Sequence, residues 1–148
     1  ILDDGDVLFN RTNSIDYVGR TGIFRYSGRP ISFASYLVRL VTDKERLCPE
    51  YLNYWLNDSV NQITVKQLAT IGVQQANINP TNLGMLPIAF PKATSEQKQI
   101  IAAIATSANH IRDINDGLQK LRSLKTALMQ DLLTGKVRVT SLLRHSAY

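Results

Sequence analysis

Two polar stretches hold the side chains best suited to recognition chemistry. Asn10-Arg11-Thr12-Asn13-Ser14 follows the apolar triplet Val7-Leu8-Phe9 and precedes Val18-Gly19-Arg20. A guanidinium, hydroxyls and amides at a strand end bring together phosphate donors and base-edge readers. The same groups also suit a plain turn, with Arg11 paired to Asp16. In the second stretch, Gln74-Gln75-Ala76-Asn77, an extended backbone would point alternate side chains the same way. Gln and Asn can bond adenine through two hydrogen bonds, and equally can lock a loop as structural amides.

Catalysis is harder to build. His110 and His145 lie on a long helix and in the tail, apart from any nucleophile motif. Cys48 stands beside Pro49 with no histidine nearby and reads as a helix-cap or core thiol. Asp3, Asp4 and Asp6 lack calcium-loop spacing and read as a solvated turn. There is no phosphate loop or dinucleotide fingerprint. Asn79-Pro80-Thr81 resembles the start of an adenine-methyltransferase motif, but the second proline and the following aromatic are missing. No catalytic residue, metal site or cofactor is expected in this chain, and the expectation is a protein that is not an enzyme.

Composition narrows the class. The chain has 148 residues, 44% apolar and 20% charged, which fits neither a disordered tail nor a membrane protein. The longest apolar run, Ile100 to Ala105, falls far short of the roughly 20 residues that cross a bilayer. A lone cysteine excludes an internal disulfide and points to a reducing, cytoplasmic setting. The start at Ile1 carries no signal peptide and suggests a piece of a longer protein. Net charge is +5, yet residues 1–94 hold nine Lys/Arg against eight Asp/Glu, so most of the surplus lies beyond them.

These residues must be positioned by two regions of different grammar. Ten of the eleven aromatic residues and all five prolines fall in residues 1–91, whereas Glu96 to Leu133 has neither and a single glycine, Gly117. The fold expected is α+β: a small mixed domain over residues 1–92, a long coiled-coil-type helix over 93–139, and a tail over 140–148. Within the domain, Val7-Leu8-Phe9, Val18 to Tyr26 and Ser32 to Val41 read as strands, with a turn at Gly28-Arg29-Pro30. Pro49 opens a helix carrying Leu52 and Leu56, and Val60 to Leu68 continues as another. Val73 to Ile78 reads as extended, Asn79-Pro80 as a cap and first turn. Leu86 to Pro91 is an edge strand or strap, because Pro87 cannot donate to a ladder.

Thr94 and Gln97 have the spacing of a capping box for the long helix, and Gly135 is placed to end it. From Ser95 to about Thr134 it would reach about 60 Å at 1.5 Å per residue. Counting in sevens, Ile104, Ile111, Leu118, Lys125 and Leu132 fall on one seam position, and Ile100, Ser107, Ile114, Leu121 and Leu128 on the other; eight of the ten are Ile or Leu. Such a repeat asks for a partner helix. A domain about 30 Å across cannot cover the whole seam. Thr106 to Asn109 and Gly117 are weak helix formers, so a bend or a break is expected there.

At this level the residues become recognisable. Gly5-Asp6-Val7-Leu8-Phe9-Asn10-Arg11-Thr12-Asn13-Ser14, Val18-Gly19-Arg20 and Gly72-Val73-Gln74-Gln75-Ala76-Asn77-Ile78-Asn79 resemble a DNA target-recognition domain. With Leu86-Pro87-Ile88 to Pro91, Glu96-Gln97, Ile100 and the run Leu128 to Val139, the chain resembles the specificity subunit of type I restriction–modification systems. The resemblance spans about residues 1–139. It implies a subunit without catalysis that reads half of a split site on double-stranded DNA. Two such domains are set apart by two long antiparallel helices. Methyltransferase and restriction subunits dock on it and carry S-adenosylmethionine and ATP. In such a domain Arg11, Thr12, Asn13, Ser14, Arg20, Gln74 and Gln75 are the candidate DNA contacts: Arg11 and Arg20 on phosphates, Asn13 on a base edge. Ile111, Ile114, Leu118, Leu121, Leu128 and Leu132 are the candidate helix interface, and one such helix per chain implies a homodimer. Lys120, Arg122, Lys136 and Arg138 could serve subunit docking or backbone contact, or form a solvated face. Two other readings stay open: the recognition region of a fused restriction–methylation enzyme, and a helical interaction module that does not touch DNA.

Overall fold

The computed structural model describes residues 1–140, so all but the first residue of the expected tail lies outside the described residues. The fold is α+β. The chain divides into two compact units, Ile1–Ala103 and the residues from Ile104 onward.

The first unit is built around one extended run that serves two sheets. Strand β1 (Val7–Asn10) sits between β3 (Thr21–Ile23) and β4 (Leu37–Leu40), antiparallel to both, with Val7 opposite Ile23 on one side and Leu40 on the other. After Arg11 the run continues as β2 (Thr12–Asn13) in a second sheet of order β2-β6-β5, where β5 is Ala69–Ile71 and β6 is Ala76–Ile78. Arg11 is the switch point. Its N–H donates to the Tyr36 carbonyl at 3.0 Å and its carbonyl accepts from the Ile78 N–H at 2.8 Å.

The expected strands at 18–26 and 32–41 shrink to β3 and β4, which flank β1 and do not pair with each other. The reason is local: Val18-Gly19-Arg20 closes a turn back onto Asn10, the Gly19 N–H donating to the Asn10 carbonyl at 2.8 Å. Strand β5 has no sequence signal of its own and is defined by its pairing with β6. The expected extended segment from Val73 begins only at Ala76, because the residues before it form a tight turn in which the Gly72 N–H donates to the Gln75 carbonyl at 2.7 Å.

Helix α1 (Pro49–Asn57) starts on proline, which needs no N–H partner there. Asp58 ends α1 and caps α2 (Ser59–Gln67), its Oδ2 accepting from the Val60 and Asn61 N–H groups at 3.0 and 3.1 Å. Asn79 likewise caps the short α3 (Pro80–Gly84), accepting from the Thr81 N–H at 2.8 Å. The core collects alternate residues of β1 (Val7, Phe9), Val18, the i, i+4 pair Leu52 and Leu56, Val65, Ala76, Ile78 and Leu83. Each fully buried large side chain stabilises the fold by about 1.5–3 kcal/mol. Leu86 to Pro91 runs as a strap outside both sheets, with Leu86 and Ile88 packed on the core.

The acidic start is more than a solvated turn. Asp6 is buried, accepts from the Asp3 N–H at 2.6 Å and lies 2.6 Å from Arg39 Nε. Arg39 Nη2 reaches Asp3 at 2.7 Å. The Asp6 and Asp3 carboxylates against Arg39 push its guanidinium further above its already high range. Among the described residues no His, Cys, Asp and Glu group is arranged to hold a metal ion.

Helix α4 runs unbroken over 40 residues, Thr94–Leu133, so the expected break near its middle does not occur. One glycine costs about 1 kcal/mol against alanine, which the strong helix formers around Gly117 offset. The capping box does not form either. Thr94 is already helical, and Gln97 is fully buried with its amide committed elsewhere: Oε1 accepts from the Cys48 N–H, and Nε2 donates to the Arg46 and Pro91 carbonyls, all at 2.8 Å. Gln97 thus satisfies backbone groups at the start of α1 and at the end of the strap. Past the helix, Gly135 takes a φ of +73°, the left-handed conformation in which helices commonly end. Among the described residues no helix is long and apolar enough to cross a membrane.

Candidate nucleic-acid interface

The second sheet brings the two polar stretches together. Thr12 lies opposite Asn77, Asn77 opposite Thr70, and Asn13 opposite Ala76. Residues directly opposite in an antiparallel sheet share a face, so Thr12, Asn77 and Thr70 form one polar row, while Ala76 and Ile78 face the core. Arg11 Nη2 donates to Asn77 Oδ1 at 3.2 Å, and Asn77 Nδ2 donates to Thr12 Oγ1 at 3.0 Å. The alternative pairing of Arg11 with Asp16 is not formed. Asn77, rather than the two glutamines, is the amide that locks this face.

Gln74 and Gln75 are exposed in the β5–β6 turn, not on alternating positions of a strand. Ile71 and Asn13 both register on Ala76, so this turn and Ser14 sit at the same end of the sheet. Asn13 Oδ1 accepts from the Ser14 N–H at 2.8 Å. The Ser14 carbonyl then accepts from the Tyr17 and Val18 N–H groups, folding the chain toward Arg20. Arg20 lies over the Tyr17 ring, 4.4 Å from its centre, a cation–π contact. Asn57, which in the sequence reads only as punctuation between two helices, holds the strand that follows, its amide bonding the Thr21 N–H, carbonyl and hydroxyl.

Charge around the first sheet is tied up. Arg25 bridges Asp4 and Glu50. Burial pushes the Glu50 carboxyl up, but the Arg25 hydrogen bond, a backbone hydrogen bond and the Arg25 charge outweigh it and hold the group below its ordinary range.

In the second unit the heptad positions are uncovered. Ile111, Ile114, Leu118, Leu121, Leu128 and Leu132 all lie in contact with solvent, from 39% exposed at Leu132 to 69% at Ile114. Toward the C-terminal end the seam widens into an apolar groove of about 540 Å³, to which Leu124, Met129 and Leu133 add walls that the two seam positions alone did not identify. Lys120, Arg122, Lys136 and Arg138 are exposed, and Lys136 reaches Asp131 at 3.3 Å.

A small α+β unit with a polar sheet face is thus followed in sequence by a helix with an open apolar seam. The family model for the type I restriction modification DNA specificity domain matches residues 1–123, and the chain belongs to that family. It is 33% identical over 132 residues, 88% of its length, to an inferred type I restriction enzyme specificity subunit, MjaX, of Methanocaldococcus jannaschii. The match spans 30% of that relative.

Proposed function

We propose that this chain reads half of a split site on double-stranded DNA within a type I restriction–modification complex. The observation that carries this is the second sheet, where Arg11 and Thr12 bond Asn77 on its polar row and Asn13 and Ser14 share one end with the turn bearing Gln74 and Gln75. Arg11 and Arg20 contact phosphates, which supply affinity and salt sensitivity; Asn13, Gln74 and Gln75 meet base edges, where a good bidentate pair discriminates by about 1–3 kcal/mol. The chain itself breaks and makes no bonds. S-adenosylmethionine and ATP belong to the methyltransferase and restriction subunits that dock on it, in the cytoplasm. The seam from Ile111 to Leu132 packs on the same seam of a second copy, because its seven-residue spacing is self-complementary.

The test is Arg11→Ala in the assembled complex, read by fluorescence anisotropy on a labelled duplex across a salt series. Loss of one phosphate contact lowers the slope of log affinity against log salt by about 1. An unchanged affinity and slope would contradict the phosphate role.

A further inference from the structure

An open depression of about 450 Å³ lies between the turn that ends at Arg20 and helix α2, lined by Asp16, Arg20, Asn57, Ser59, Gln62 and Lys66. The turn is pressed onto the helix at Gly19. Its φ is +86°, and a Cβ there would fall 2.8 Å from Val65 Cγ1. Gln62 Nε2 donates to the Gly19 carbonyl at 2.9 Å. Arg20, the next residue, is therefore held beside the last turn of α2, which carries Lys66.

The donors of this depression divide into used and unused. The Asn57 amide is committed to Thr21 and Asn53, and that of Gln62 to the Gly19 and Leu56 carbonyls. What remains is the Ser59 hydroxyl and two cations. Elsewhere in this unit Arg25 and Arg39 each hold two carboxylates. Arg20 and Lys66 hold none among the described residues: Arg20 uses its flat face on Tyr17, and Asp16 lines the same space without closing an ion pair on either. A planar fork, a mobile point charge and a hydroxyl around one open space form a donor set for a phosphate.

We propose that this depression seats one phosphate of the duplex backbone between Arg20 and Lys66. Lys66, on a helix outside both polar stretches, then becomes a DNA-contact residue, and Asp16 the opposing charge that keeps the contact weak. The inference rests on the DNA reading above. Phosphate contacts carry no sequence information, so a labelled duplex of mixed sequence serves as the probe without knowledge of the target.

Binding of the full chain is followed by anisotropy from about 50 to 200 mM salt. Lys66→Gln is expected to weaken binding several-fold and to lower the salt slope by about 0.9, the value for one phosphate on B-form DNA. Asp16→Asn is expected to tighten binding, a gain that a misfolded protein cannot mimic. Calorimetric titration with inorganic phosphate separates a free anion from the duplex. If Lys66→Gln abolishes phosphate uptake but leaves duplex binding and its slope intact, the duplex assignment fails. Wild-type binding on which both variants superimpose overturns this inference and leaves the DNA reading standing. A wild-type chain that binds no duplex at the lowest salt overturns both.

Discussion

Leu56 is 1% exposed and Leu128 is 49% exposed; Ile78 is fully buried and Ile114 is 69% exposed. The first of each pair belongs to the unit from Ile1 to Ala103 and the second to the helix beyond it. Residue type and local propensity do not separate them, since both leucines sit in well-formed helices. What differs is the source of the cover. In the first unit strands and helices far apart in sequence close over the apolar side chains, and about 1.5–3 kcal/mol per residue is realised on folding. From Ile104 on, the apolar side chains of the seam stand exposed, and that stabilisation is not realised. One region folds on its own residues, and the other is the surface proposed above to assemble.

Three perturbations break or sharpen that contrast. Phe9, fully buried, has the largest effect: Phe9→Ala removes about 3–5 kcal/mol of stability. Its urea midpoint falls by the same amount at every protein concentration, whereas Leu128→Ala lowers stability only where copies associate. Next is Gln97→Ala, which leaves the Cys48 N–H and the Arg46 and Pro91 carbonyls without their partner. Buried groups left unpaired cost about 1–3 kcal/mol each, so about 3 kcal/mol is expected by chemical denaturation. Loss below 0.5 kcal/mol would mean that Gln97 does not secure the start of α4. The smallest effect is that of Glu50. Its folded pKa is depressed, so its contribution is fully present above the ordinary glutamate value and fades as pH falls through the lower folded value. Because Arg25 is more than half exposed, only a few tenths of a kcal/mol are expected. Denaturation series of wild type and Glu50→Gln in acid should converge below that window.

Elements set by neighbouring residues were legible. Pro49, Asn79-Pro80 and the seven-residue seam announce α1, α3 and α4 through positional chemistry within a few residues. Elements set by distant pairing were not. Strand β5 has three residues and no alternation of its own; β6 beside it defines it. The link between the two polar stretches depends on Thr12 meeting Asn77, 65 positions away, which spacing cannot reveal. Gln97 carried a correct signal for a helix start, yet its partners Arg46 and Cys48 lie 51 and 49 residues upstream. Asp6 reads as part of a solvated turn because the acidic run lacks calcium-loop spacing, and Arg39 supplies the reason that it is buried. Lys66 had no motif at all; only the fold places it across from Arg20.

The dependence of the second region on an outside surface is tested most directly by sedimentation equilibrium of this chain. Wild type is expected to show a concentration-dependent dimer at micromolar levels. Leu121→Lys combined with Leu128→Lys, with unchanged helical circular dichroism, is expected to raise the dissociation constant by more than about 100-fold. A wild-type chain that sediments as a monomer at tens of micromolar would contradict the self-pairing of the seam.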